Sequence, residues 1–230
     1  MKVRIKFAKE GALKFIGHLD IMRYFQKAFR RSGLDIQYSQ GFSPHPLLSF
    51  AAPLGLGLTS EGEYMDVVLG ECPKSREIVE RLNDQMVDGM RVLNAVALAD
   101  DEKNAMSLVA AADYRMTIKR GKPDFSLEEA ACDLLSQKQI LVMKKTKKSL
   151  KETDIRPMIH GLKVREEDGR AVLYMRLAAG SAANLKPEQV AAALWESKGA
   201  LFDPMAVQFH RLEMYDGQMV PLDGRGDAIE

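Results

Sequence analysis

Apolar and polar positions alternate in a way that divides the chain into two stretches of the same element order. Val3, Ile5 and Phe7 alternate with Arg4 and Lys6, the period-2 pattern of a strand with one face in a core. The period then changes, and the spacing predicts a helix over 18–32. Leu19, Met22, Phe25 and Phe29 form its buried stripe, and Gly33 ends it. Extended segments follow at 34–38 and 47–51, then a strand at 63–69. A helix opened by Pro73 carries Ile78, Val79, Leu82 and Met86 on one face, and a strand covers 92–98. This β-α-β-β-α-β order is that of the ferredoxin-like split βαβ, with one extra extended piece and a long loop after the first helix.

Beyond a polar junction at 100–104 the order returns. A strand is predicted over 114–119, a helix over 127–137 with Ser126 and Glu129 as a capping box, and a strand over 140–143. A hairpin joins 162–164 and 171–177 around Asp168-Gly169. Pro187 opens a last helix containing Val190, Leu194 and Trp195, and a final strand covers 207–212. The expected fold is therefore α+β: tandem ferredoxin-like (βαββαβ) domains with antiparallel sheets at 1–104 and 105–215. The polar, Gly-rich stretch 216–230 reads as a disordered tail.

A chain of 230 residues, 46% hydrophobic and 28% charged, has a globular composition and room for both domains. No run approaches the roughly 20 apolar residues of a spanning helix, and the start alternates charged and apolar residues unlike a secretory signal, so a cytoplasmic location without membrane partners is expected. Cys72 and Cys132 are too few for a disulfide scaffold and too far apart for a local metal motif, and both read as packing residues, although Cys72 sits where a helix dipole would lower a thiol pKa. His18, His45, His160 and His210 are too scattered for a local zinc site. No metal site and no cofactor is expected.

Charge changes the picture more. The formal net charge is +1, yet residues 1–31 carry nine basic residues against Glu10 and Asp20, leaving 24 basic and 30 acidic residues elsewhere. Such segregation attracts anions unless the acidic remainder neutralises it on folding. On the first helix Arg23, Lys27 and Arg31 recur at i, i+4 and i+8 with Arg30 beside them. Like charges at that spacing repel, a cost that phosphate contacts would offset; the plain alternative is a solvated face. The segment Ser39-Gln40-Gly41-Phe42-Ser43-Pro44-His45-Pro46 is stiffened by its prolines. It either presents Phe42 and His45 for stacking on bases or uses Phe42 as a core plug. The stretch 53–60 lacks the Gly-Lys-Ser/Thr ending of a phosphate loop, and its leucines suit packing. His18 and Asp20 lie too close along one turn to face each other, leaving only a His18–His45 encounter for acid–base chemistry, so no catalytic residue is assigned. A second basic run, Lys144, Lys145, Lys147, Lys148 and Lys151, reads as a solvated turn.

At Gly17-His18-Leu19-Asp20-Ile21-Met22-Arg23, Ala28-Phe29-Arg30-Arg31-Ser32-Gly33-Leu34, Tyr38 to Pro46, Ser49-Phe50-Ala51 and Glu63-Tyr64-Met65-Asp66, the chain resembles the radical-SAM-linked domain family, a bacterial domain found alone or joined to radical SAM enzymes. The resemblance is concentrated in residues 1–70 and implies a radical SAM enzyme as partner. The chain lacks Cys-x-x-x-Cys-x-x-Cys, so the [4Fe-4S] cluster would belong to that partner. The expectation is an accessory module that positions RNA or ribonucleoprotein for a separate radical SAM enzyme. Arg23, Lys27, Arg30, Arg31, Gln40, Phe42 and His45 would form the binding surface, with nothing that selects a DNA sequence. Two rivals stand beside it: an RNA-processing or RNA-modifying enzyme, by analogy with tandem ferredoxin-like RNA-processing proteins, and a protein-interaction subunit whose basic face meets an acidic partner.

Overall fold

The computed structural model describes residues 1–145 and 150–230. They form a mixed α+β fold with mostly antiparallel strands and several helices, in two compact units: Met1–Ala110 with Arg211–Glu230, and Ala111–His210.

Unit 1 contains β1 (Lys2–Lys9), α1 (His18–Ser32), β2 (Leu48–Phe50), β3 (Thr59–Val68), α2 (Ser75–Asn83), β4 (Met90–Ala97) and a one-turn α3 (Ala105–Leu108). β1 lies between β3 and β4, antiparallel to both, and β2 pairs antiparallel with the other edge of β3. Val3, Ile5 and Phe7 of β1 and Met65 and Val67 of β3 meet Phe25 and Phe29 of α1 and Ile78 and Leu82 of α2 in one core. Gly33 takes φ 65°, the left-handed conformation that ends α1 at little cost for a residue without Cβ. The α1 stripe runs through Ile21, Phe25, Ala28 and Phe29. Leu19, expected in it, is 61% exposed, because it falls well around the helix from Phe25 at 100° per residue.

The expected disordered tail is ordered. Leu222–Arg225 forms a 3-10 turn, Asp227 bridges Ala97, and the Ser75 amide donates to the Ile229 carbonyl. Leu222 is fully buried, which gives this polar stretch an apolar anchor. The first unit thus takes both chain ends and extends past 104 to Ala110.

Unit 2 contains β5 (Ala111–Ile118), α4 (Leu127–Ser136), β6 (Leu141–Lys145), β7 (Leu150–Asp154), β8 (Ile159–Glu167), β9 (Arg170–Ala178), α5 (Pro187–Ser197) and the start of β10 (Val207–Tyr215), whose residues from Arg211 onward count with unit 1. The strand order is β10-β5-β9-β8, with β9 antiparallel to β5 and β8. The strand expected at 140–143 does not join this sheet. It pairs with β7 as a separate two-stranded ribbon, and β8 takes the place beside β9. Ser126 Oγ accepts from the Glu129 amide at 3.3 Å and caps α4. Asp168 and Gly169, with φ of 49° and 70°, make the two-residue turn between β8 and β9 that right-twisted strands favour.

Candidate nucleic-acid interface

The helical period places Arg23, Lys27, Arg30 and Arg31 on the side of α1 away from Phe25 and Phe29, and all four are exposed. Their surroundings differ. Arg23 pairs with Asp20 one turn earlier at 3.5 Å, a partner three residues away. Arg31 donates to the Gln85 carbonyl beyond α2 at 3.2 Å. Lys27 and Arg30 have no ion pair or hydrogen bond among the described residues and supply the free charge of this face.

Residues 37–47 form a hairpin. The Leu47 amide donates to the Gln37 carbonyl at 2.8 Å, the Ser39 amide to the His45 carbonyl at 2.9 Å, and the His45 amide to Ser39 Oγ at 3.1 Å. Ser39 Oγ also lies 2.8 Å from His45 Nδ1, within hydrogen-bond distance. Gly41, at φ 117°, lets the tip turn, and Phe42 stands there at 111% relative exposure. The core-plug reading of Phe42 is therefore discarded. Gln40 and His45 are also exposed, and His45 borders a shallow cavity of about 240 Å³ with Lys2, Ser49 and Asn104. No hydrogen bond or ion pair joins the hairpin to the basic residues of α1 among the described residues. His18 packs edge-on against Phe50, at 5.3 Å between ring centres, and His45 is engaged by Ser39, so each ring has its own partner.

Much of the N-terminal charge lies inside the protein. Arg4 is fully buried: its guanidinium grips Asp66 at 2.8 and 3.1 Å and donates to the Leu222 and Lys103 carbonyls at 3.0 Å each. Lys6 pairs with Glu213. The Tyr64 hydroxyl lies 2.6 Å from Glu213 Oε1 and 2.9 Å from Asp223 Oδ1, and burial together with these carboxylates pushes its pKa far up, so it stays a phenol. Arg211 grips Glu63 at 2.8 and 2.6 Å. Lys9, also buried, donates to the Ile16 carbonyl at 2.8 Å. Burial pulls its pKa below the ordinary value despite Glu63, and Arg211 adds to the lowering. Lys9, His18 and Glu63 line a cavity of about 20 Å³, room for one water and too small for a substrate. The attraction for anions expected from residues 1–31 is reduced accordingly.

In unit 2 a groove of about 670 Å³ lies between the β5–α4 loop, the start of α4 and the β8–β9 turn, with Lys119, Lys122, Arg165 and Arg170 on its walls. Its sequence signal was present but dispersed: basic residues just before a capped helix and just around an Asp-Gly turn. Alongside, Arg165 stacks over the Tyr174 ring at 5.3 Å, and the Tyr174 hydroxyl bonds Glu167, which raises the phenol pKa. Of the second lysine run, Lys147 and Lys148 lie outside the described residues. Cys72 is half-buried against the unit 1 core with its thiol pKa pushed up by burial, the reverse of a dipole-activated thiol. Cys132 is exposed on α4 rather than packed. Among the described residues no group of His, Cys, Asp or Glu could hold a metal ion, and no helix is long and apolar enough to cross a membrane.

The fold and these surfaces define a two-unit α+β protein with exposed basic and aromatic faces. The chain belongs to the family described as "Uncharacterized protein conserved in bacteria (DUF2344)", which matches residues 2–187. No curated protein matches the sequence. Among solved structures, a chain from the "Crystal Structure of a Cbf5-Nop10-Gar1 Complex" is similar at 11% identity and a TM-score of 0.48, over 94% of this chain and 50% of that one. The chain thus spans about half the length of that neighbour, and a likeness at this level assigns neither fold nor function.

Proposed function

We propose that this protein is an accessory RNA-binding module that presents RNA or ribonucleoprotein to a separate radical SAM enzyme. The observation that carries the RNA reading is Phe42, a fully exposed aromatic ring held at the tip of a hydrogen-bonded hairpin. An unpaired base stacks on such a ring without sequence preference, while Lys27 and Arg30 offer phosphate contacts. The partnership rests on the motif resemblance, and the two cysteines leave the cluster to the partner. We read both units as ferredoxin-like: the strand orders β4-β1-β3-β2 and β10-β5-β9-β8 support this, with the β6–β7 ribbon inserted in the second.

Equilibrium binding of a single-stranded oligoribonucleotide at several salt concentrations tests the RNA reading. Phe42→Ala is expected to weaken binding by about 1–3 kcal/mol. Lys27→Ala and Arg30→Ala should each lower the salt slope by roughly one unit. Unchanged affinity and slope in all three folded variants would transfer this surface to a protein partner. Co-purification of a radical SAM enzyme with the tagged chain tests the partnership, and its failure under anaerobic conditions would remove it.

A further inference from the structure

The unit 2 groove rests on its own observations and not on those of the α1 and hairpin surface. Three free cations reach it from two segments of the sequence, Lys119 and Lys122 from the β5–α4 loop and Arg170 from the start of β9; Arg165 also lines it, but its guanidinium is held over the Tyr174 ring. Lys119, Lys122 and Arg170 have no ion pair or side-chain hydrogen bond among the described residues. Two carboxylates, Glu128 and Glu166, share the walls, so against these three cations the groove carries a formal excess of one positive charge. Ser126 already caps α4 and Glu128 occupies its first turn, so the positive character comes from the side chains rather than from the helix end.

The remaining wall is apolar and includes Phe125, whose ring is held edge-on against Trp195 at 5.4 Å between centres. A volume of about 670 Å³ lies within the range of small-ligand sites. A phosphomonoester carries a charge of about −1.5 to −2, which the three unpaired cations can meet with charge-assisted hydrogen bonds. An apolar wall beside it suits a flat ring, and the two glutamates are acceptors for hydroxyl or amino groups. An inorganic anion would leave the apolar wall unused.

We propose that this groove binds a nucleotide through its terminal phosphate, with Lys119, Lys122 and Arg170 around the phosphate and the base against the apolar wall. The nucleotide is either a free mononucleotide or the 5′-phosphorylated end of an RNA.

The test uses the full chain, with binding followed by calorimetry. Adenosine 5′-monophosphate should bind saturably and adenosine at least about tenfold more weakly. The exposed pair Lys122→Ala/Arg170→Ala should weaken the monophosphate at least about tenfold with an unchanged melting temperature, whereas Lys27→Ala/Arg30→Ala on α1 should leave it unaltered. If the first pair perturbs folding, Lys119→Ala/Lys122→Ala serves in its place. Short oligoribonucleotides with a 5′-phosphate or a 5′-hydroxyl separate the sources: a preference for the phosphorylated end in unit 2 identifies an RNA terminus, and monophosphate binding without it identifies a free nucleotide. Equal binding of adenosine and its monophosphate, affinity retained in a folded groove variant, or no saturable binding of either phosphorylated probe up to ~10 mM would overturn the site. Loss of RNA binding in the Phe42 and Lys27 variants with this site intact would concern only the first surface.

Discussion

The two units repeat a strand order yet treat the sheet face opposite their core helices in opposite ways. In unit 1 that face carries Arg4, Lys6, Tyr64 and Asp66, and the chain end covers it with Leu222 and Asp223, so that Arg4 has no exposure. In unit 2 the corresponding face carries Asp113, Arg115, Tyr174 and Arg176. Its Arg176–Asp113 pair is as well formed, at 2.7 Å through both nitrogens, yet the Arg176 side chain is 41% exposed. One kind of bidentate pair is therefore an internal structural element in the first unit and a solvated surface feature in the second. A buried pair depends on every bond it makes, whereas an exposed one exchanges with water at little cost. Charge that is used internally in this way is no longer available to a ligand.

The sharpest way to break this contrast is Arg4→Ala, which strands Asp66 and two carbonyls in the interior. It should cost about 3–5 kcal/mol of stability in denaturant unfolding. A cost comparable to that of an exposed pair would show that the chain end does not keep water out. Leu222→Ala, which removes the anchor of that cover, should cost about 2–4 kcal/mol.

Proton linkage supplies an intermediate effect. Lys9 has a lowered pKa in the folded protein, so the unfolded chain binds more protons in the window below its ordinary value of 10.5. Its contribution to stability therefore rises with pH through that window, and the stability of wild type relative to Lys9→Met should rise between pH 7 and 10. A flat difference would place Lys9 in contact with water. Asp216 has the same sign in a lower pH window. Burial pushes its pKa up, but the Val220 and Gln218 amides and Arg225 outweigh this and hold it below the ordinary 3.8. Its contribution is complete above that value and is lost as pH falls through the folded pKa, so Asp216→Asn should flatten the acid limb of the stability curve. The smallest effect is expected from Arg176→Ala, at most about 1 kcal/mol, and a larger loss would move unit 2 toward the behaviour of unit 1.

The sequence by itself determined what depends on near neighbours. The helix over 18–32 and its glycine stop, the Ser126 cap and the Asp168-Gly169 turn rest on side-chain periodicity and on backbone freedom within a few residues, and each lies where the pattern places it. Of the candidate surface, the outward direction of Arg23, Lys27, Arg30 and Arg31 was legible in the same way, because helical period alone decides it. The tertiary structure decided what those local patterns leave open. It set the 141–145 strand in a separate ribbon, returned the polar end of the chain to the first unit, exposed Phe42, and gathered the groove of unit 2 from two segments about 40 residues apart. Above all it settled which charges are free. Arg4 finds Asp66 across 62 positions, Arg211 finds Glu63 across 148, and Lys6 finds Glu213 across 207. Ion pairing requires proximity in space, and no periodicity along the chain encodes partners at such separations.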